Sequence, residues 1–361
     1  SVAPFLCYKD DRKYKDAINN LVSIDIGGGT TDIVFIKGGK DTEYVTSFRF
    51  AANSVFGLGE QITPIVSKYQ SEIENIILDE ERAGDAKYNY LFDNIYRGIT
   101  GDTQKGDIAS FFFALKNHEK LQDVEIDFNS MLKRDSDQKL IFVLFYAAII
   151  YHTAQIMKAK ELELPRHIAF SGNGSRIVNI VGDKEVLAEL SKCIFEKVYG
   201  KQYGNSGLDI IQNTKNPKEV TCKGGIKAAD KEYEQKSFEP LVLLGTDNDT
   251  FITDTDTYSS VNIEESLTKT NNKVKEFIEY VINELMLQKY TKGVVAETFV
   301  KAMNINQQTL QIAKEVLMKE DDLANFTRNG INNKITSIVD TSSTQIEETF
   351  FFYPIASLLN V

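Results

Sequence analysis

Residues 21–37 of the chain read LVSIDIGGGTTDIVFIK and decide how the rest of the sequence is interpreted. Two β-branched and apolar runs of strand length flank three consecutive glycines, Gly27, Gly28 and Gly29. Because glycine has no Cβ, we expect this backbone to adopt positive φ and to bring successive N–H groups close to an anion. The stretch therefore predicts a β-hairpin whose turn binds phosphate.

Acidic and hydroxyl side chains flank the glycines. Asp25 precedes them, and Thr30, Thr31 and Asp32 follow. Because phosphate repels a carboxylate unless a divalent cation lies between them, Asp25 is predicted to bind Mg²⁺ through water. Walker A loops and dinucleotide-binding loops both open a helix, whereas residues 31–37 have the pattern of a strand. An ordinary tight hairpin is the alternative, but it needs no acid on either side of its turn.

The octapeptide DIGGGTTD at residues 25–32 resembles the second phosphate motif of the superfamily that contains actin, sugar kinases and heat-shock chaperone ATPases. This resemblance implies an α/β fold, a ribonuclease H-like lobe of the actin type. It also implies ATP or ADP and Mg²⁺ as cofactors, with Asp25 as the catalytic and metal-organising acid. The residues that it assigns to phosphate are Gly27, Gly28, Gly29, Thr30 and Thr31.

A second segment, HIAFSGNGSRIVNI at residues 167–180, resembles the adenosine motif of the same superfamily. It reads as a short strand, a turn of small residues and the start of a helix. Arg176 matches the position whose guanidinium plane stacks on adenine in the chaperones. A plain strand-to-helix connection with Ser175 as its cap is the alternative. The residues that the resemblance assigns to the nucleoside are Gly172, Asn173, Gly174, Ser175 and Arg176.

Two further segments extend the resemblance. Residues 216–229 (NPKEVTCKGGIKAA) look like the small-residue helix that follows the adenosine motif, and residues 1–8 look like the end of the helix that links two lobes. The sequence has no second Asp-Gly-Thr hairpin, so we expect it to represent the second lobe, with the missing N-terminal lobe as a partner. One lobe cannot enclose a triphosphate from both sides, and hydrolysis by this chain alone is not expected.

The predicted organisation has three parts. Residues 1–77 and 134–235 form the core of the lobe, and residues 78–133 form an inserted, aromatic-rich subdomain. In this family the corresponding insert covers the adenine. Residues 236–361 are mainly helical in pattern, and their apolar stripes predict a bundle that packs on the lobe.

Composition limits the possible partners. A net charge of −11 argues against nucleic acid and against an anionic membrane surface. The apolar run LIFVLFYAAII at residues 140–150 is read as too short to span a bilayer and is predicted to be a core helix. Three cysteines and three histidines show neither a disulfide framework nor zinc-site spacing. We expect a cytoplasmic protein.

Three functions remain open at this point. The first is an ATPase whose conformational cycle acts on a protein partner, bound through the insert or the helical tail. The second is a sugar-kinase-type phosphotransferase, whose substrate-binding Asp would lie in the missing lobe. The third is a non-catalytic interaction or filament protein that keeps the fold.

Overall fold

The computed structural model of the chain describes most of the predicted lobe and of the C-terminal region. The described residues are 3–4, 7, 21–36, 43–57, 63–77, 108–115, 127–204, 207–212, 217–228, 238–244, 251–253, 256–260, 262–289, 303–317 and 319–360. Residues 78–107 and 116–126, which make up most of the predicted insert, lie outside them.

A six-stranded mixed sheet forms the centre of the fold, with the spatial order β5-β4-β1-β2-β3-β6. Strand β2 runs antiparallel to its neighbours β1 and β3, whereas β4 and β5 run parallel to β1, and β6 runs parallel to β3. The strands are β1 (Leu21–Ile26), β2 (Thr31–Ile36), β3 (Glu43–Phe48), β4 (His167–Ser171), β5 (Asp209–Gln212) and β6 (Phe238–Pro240).

Helices cover the sheet and make up most of the C-terminal region, so the α/β class is confirmed. A 3₁₀ turn (Asn173–Ile177) follows β4, and a π-helix (Glu279–Lys289) continues α9. The helices are α1 (Ala52–Phe56), α2 (Pro64–Ile77), α3 (Ile108–Leu115), α4 (Phe128–Arg134), α5 (Lys139–Ala159), α6 (Val178–Val181), α7 (Lys184–Tyr199), α8 (Pro217–Ala228), α9 (Ile263–Ile278), α10 (Gln307–Leu317), α11 (Glu320–Thr336) and α12 (Phe352–Leu358).

The predicted hairpin is confirmed. Strands β1 and β2 pair in the register Ile26↔Thr31, which leaves four residues in the turn. The Gly27 N–H closes this turn by donating to the Thr30 carbonyl at 2.8 Å. Strand β3 ends at Phe48, and helix α1 follows from Ala52.

Helix α5 extends beyond the apolar run at residues 140–150. With 21 residues the whole helix is long and apolar enough to cross a membrane, judged by length and composition alone. However, 94% of its most apolar stretch is buried inside the protein, as predicted for a core helix.

Helix α8 packs against the start of the chain. A Cβ built on Gly224 would lie 1.5 Å from the Ala3 carbonyl oxygen, so only glycine allows this approach. The predicted small-residue helix therefore serves close packing, and the described contact is with the N-terminal segment.

The C-terminal region shares its core with the sheet. Phe352 of α12 stacks on two rings near the end of β3. Its ring centroid lies 4.2 Å from that of Phe48 and 4.6 Å from that of Phe50. The Tyr151 ring of α5 lies 5.3 Å from Phe277 of α9. The predicted apolar stripe of the tail is buried as well: Val274, Phe277, Ile278, Val281, Ile282, Leu285 and Met286. The division near residue 236 remains a prediction, since one continuous core crosses it.

Candidate functional site

Two glycine turns meet at one edge of the sheet. The first glycine turn (residues 27–30) joins β1 to β2, and the second glycine turn (residues 172–176) follows β4. Strands β1 and β4 are parallel neighbours with Asp25 beside Ser171, so both turns begin where their strands end. The carboxyl ends of parallel strands are the usual place for ligands in open α/β sheets.

The second glycine turn is packed tightly against the first. Gly172 has φ of 79°, and a Cβ on it would lie 2.3 Å from Asp25 Oδ1 and 2.3 Å from the Ile26 carbonyl oxygen. A Cβ on Gly174 would lie 2.2 Å from the Gly27 carbonyl oxygen. Both glycines are thus required by direct contact with the neighbouring turn.

The first glycine turn is open by comparison. Gly28, Gly29 and Thr30 are exposed, and a Cβ on Gly29 would meet nothing within 4 Å. The expectation of positive φ at the three glycines is wrong, since none of the three adopts it. The chain turns instead through the Gly27–Thr30 hydrogen bond and through two bonds from α1.

Helix α1 holds the first glycine turn from one side. The Ala52 N–H donates to the Gly27 carbonyl at 3.3 Å, and the Asn53 N–H donates to the Gly28 carbonyl at 2.8 Å. These bonds orient the two carbonyls toward the helix. The first turn is therefore fixed by backbone contacts, while its outer surface stays accessible.

A cleft of about 520 Å³ lies beside the two turns. This volume falls in the range of small-molecule sites. Four of the predicted site residues line it, namely Gly28, Asn173, Gly174 and Arg176. The other lining residues are Ala52, Asn53, Phe56, Ala109, Ser110, Phe113, Ala114 and Ile177.

The predicted insert supplies one wall of this cleft. Helix α3 contributes Ala109, Ser110, Phe113 and Ala114, and the Phe113 ring packs edge-on against Phe56 at 5.3 Å. An apolar, aromatic wall with a few polar groups opposite is typical of sites that bind flat organic ligands. Sequence reasoning noticed the aromatic residues of the insert, but it assigned none of them to the site. The i, i+4 spacing of Ala109 and Phe113 was the available signal.

Arg176 carries an unpaired donor at the cleft. Its Nε is buried and has no hydrogen-bond partner among the described residues. Buried polar groups are rarely left unpaired in native proteins, so an orphaned donor at a cleft wall points to a missing partner. The guanidinium can offer both its N–H groups and its flat face to a ligand.

Asp25 lies behind the first glycine turn rather than on the cleft wall. It is half-buried and faces Asp32 across the β1–β2 pair. Burial raises the pKa of the Asp25 carboxyl, and the charge of Asp32 raises it further, while a polar contact with the Ser171 hydroxyl opposes both. A divalent cation would relieve the repulsion between the two carboxylates.

Asp25 and Asp32 are two carboxylates at paired positions of β1 and β2. Mg²⁺ commonly keeps several waters and is held by one or two carboxylates together with substrate phosphates. These two side chains are of the kind that would hold Mg²⁺ in such a site. Among the described residues, no group of three or more His, Cys, Asp or Glu side chains could hold an ion.

Two predicted site residues have their side chains engaged inside the protein. Thr31 is fully buried, and its hydroxyl donates to the Phe50 carbonyl at 2.6 Å. The Ser175 hydroxyl donates to the Gly172 carbonyl at 2.7 Å and so caps its own turn. The side-chain hydroxyls of both residues stabilise the framework of the site and are not available to a ligand.

Comparisons with known proteins identify no family for this chain. No protein-family model matches the chain, and no curated protein matches it.

Proposed function

We propose that this chain is the ATP-binding lobe of a chaperone-like or actin-like ATPase, and that the cleft binds ATP or ADP together with Mg²⁺. One observation carries the proposal. The two segments that resemble the phosphate and adenosine motifs lie far apart in the sequence, yet Gly28 and Gly174 line the same cleft. The two turns follow neighbouring parallel strands and border one cavity, which is the arrangement that the resemblance implies.

The sheet supports the proposal at the level of fold. A ribonuclease H-like lobe begins with three antiparallel strands and later adds strands parallel to the first. Here β1, β2 and β3 form the antiparallel part, and β4 and β5 extend the sheet beside β1. The insert then lies between β3 and β4 in the sequence and contributes α3 to the cleft.

Each part of the cleft has a chemical role in this proposal. The exposed backbone of the first glycine turn receives phosphate oxygens, and the wall formed by Phe113 and Arg176 receives the nucleoside. Asp25 orients the waters of Mg²⁺, whose positive charge offsets the charge of the phosphates. The three backbone hydrogen bonds of residues 27–30, one within the turn and two from α1, hold this backbone in place.

The proposal extends to partners. Because Gly28, Gly29 and Thr30 are exposed, a separate N-terminal lobe could cover the phosphates from the other side. Turnover would then require both lobes, and the change in nucleotide state would act on a protein partner in the cytoplasm.

The test is a calorimetric titration of the chain with ADP. We expect binding in the presence of Mg²⁺ and clear weakening when EDTA removes it. Asp25→Asn should lose this Mg²⁺ dependence while its unfolding transition stays cooperative. The matched control is Asp209→Asn, which changes an exposed carboxylate on strand β5 of the same sheet. Absence of ADP binding by the wild-type chain, or equal Mg²⁺ dependence in both variants, would contradict the proposal.

A further inference from the structure

The C-terminal end of the chain contacts the segment that supports the first glycine turn. This C-terminal strap (residues 348–360) crosses the β3–α1 junction (residues 49–54). The junction leads from the sheet into α1, the helix that donates hydrogen bonds to the turn. Three separate contacts join the two segments, and each uses a different kind of interaction.

The first contact is a buried carboxylate. Glu348 accepts a hydrogen bond from the Arg49 backbone N–H at 3.0 Å. The same carboxylate is paired with Lys334 at 2.7 Å and accepts from the Tyr353 hydroxyl at 3.1 Å. A buried charge that is paired and hydrogen-bonded in this way fixes the start of the junction.

The second contact is aromatic. Phe352 stacks on Phe50 with nearly parallel rings, at an interplanar angle of 17°, and on Phe48 at 26°. All three rings are buried. They fill the space between the end of β3 and helix α12, so the junction cannot shift without opening the core.

The third contact reaches helix α1 itself. The Asn360 side chain donates through Nδ2 to the Ser54 carbonyl at 3.2 Å and to the Ala356 carbonyl at 2.7 Å. Ser54 follows Asn53, whose N–H donates to the Gly28 carbonyl and whose side chain lines the cleft. A continuous chain of contacts thus leads from the end of the protein to the first glycine turn.

We propose that Glu348, Phe352 and Asn360 are positioning residues, which hold α1 in the place where it supports the first glycine turn and forms the cleft wall. Their effect on ligand affinity rests on the proposed nucleotide function. A ligand that prefers the docked arrangement stabilises the strap, and a docked strap strengthens ligand binding by the same factor. Through the strap, ligand binding in the cleft and the docking of the C-terminal helices then affect each other.

The experiment uses the full chain and two variants. Asn360→Leu keeps the branched shape of the side chain and removes both donated bonds. Thr327→Val is the matched control, because it removes a buried hydroxyl that bonds the Leu323 carbonyl of α11 and the Asn271 side chain of α9, away from the junction. For Asn360→Leu we expect Mg²⁺–ADP affinity to fall about tenfold. For the control we expect a comparable loss of stability toward urea and an unchanged affinity.

A second readout needs no nucleotide. Hydrogen exchange of the Asn53 amide reports directly on its bond to Gly28, and we expect it to be about tenfold faster in Asn360→Leu than in Thr327→Val. Equal exchange in both variants would overturn the positioning role. Faster exchange in Asn360→Leu with no nucleotide binding by the wild type would uphold the strap and refute the proposed function. If the Asn53 amide exchanges faster in Asn360→Leu while its Mg²⁺–ADP affinity is unchanged, the coupling between the strap and ligand binding is overturned.

Discussion

The two glycine turns of this site use glycine for opposite purposes. In the second turn, Gly172 and Gly174 have no room for a side chain, because the end of β1 and the Gly27 carbonyl occupy that space. In the first turn, Gly29 faces open space and Gly28 has only an ordinary contact with Asn53. The glycines of the second turn let protein pack on protein, whereas Gly28 and Gly29 leave the outer surface of the first turn open.

Because of this difference, we expect substitutions in one turn to change stability and substitutions in the other to change ligand binding. Substitutions in the second turn should act first on folding, since they force apart atoms of the sheet edge. Substitutions in the first turn should act on ligand affinity and leave the fold almost unchanged. The following variants test whether the two effects can be separated.

The largest effect is expected at the second turn. Gly172→Ala places a Cβ against Asp25 and the Ile26 carbonyl, at a residue whose φ is positive. Overlap and backbone strain together should lower the free energy of unfolding by about 3 kcal/mol. Gly29→Ala is the control, with an expected change within about 1 kcal/mol. Urea denaturation measures both, and similar losses in the two variants would remove the distinction between the turns.

The next largest effect is expected at Gly28. Gly28→Val introduces a branched side chain at the cleft wall, and we expect ADP affinity to fall about 100-fold, or about 2.7 kcal/mol. The reason is occupied space, since this glycine does not need positive φ. Gly225→Val on exposed α8 is the control, where a Cβ meets nothing within 4 Å. Near-normal binding by Gly28→Val, measured by calorimetry, would show that the ligand does not approach this turn.

Local features of the site could be predicted from the sequence, because they depend on residues close to one another in the chain. The hairpin around Gly27 and the strand–turn–helix around Gly172 follow from apolar runs interrupted by glycine. The same patterns do not tell whether a glycine is needed for φ, for packing or for a ligand. That distinction depends on which atoms of distant segments lie next to the glycine, as the close approach of Gly174 to the Gly27 carbonyl shows.

The remaining features depend on contacts between distant segments. The i, i+4 spacing of Ala109 and Phe113 indicates a shared helix face, but the sequence does not show that this face borders the cleft, because several faces of α3 are apolar. The contact of Asn360 with Ser54 joins residues at opposite ends of the chain, and no local pattern specifies it. The sequence predicts that the tail packs on the lobe, but an apolar stripe does not specify which surface it covers, so the contact of Phe352 with Phe48 and Phe50 could not be predicted.

A smaller effect is expected at Arg176, the one charged side chain from the second turn that lines the cleft. Arg176→Ala should weaken ADP binding about tenfold, near 1.4 kcal/mol, because a stacked and hydrogen-bonding guanidinium is lost. Arg134→Ala, on an exposed arginine of α4, is the control. Pyrophosphate binding should change much less than ADP binding. An equal loss for both ligands would assign Arg176 to phosphate and not to the nucleoside.

The smallest effects are expected at the adjacent residues Thr30 and Thr31. The first is exposed and the second is buried, so we expect one to affect binding and the other stability. Thr31→Val removes the buried hydroxyl bond to the Phe50 carbonyl and should cost about 1 kcal/mol of stability with ADP affinity within about twofold. Thr30→Val changes an exposed hydroxyl and should leave stability unchanged while weakening ADP binding about threefold. Thermal unfolding and calorimetry on both variants give the comparison. If both threonines affect only stability, the open turn is a structural hairpin, and the contrast between the two glycine turns then reflects packing alone.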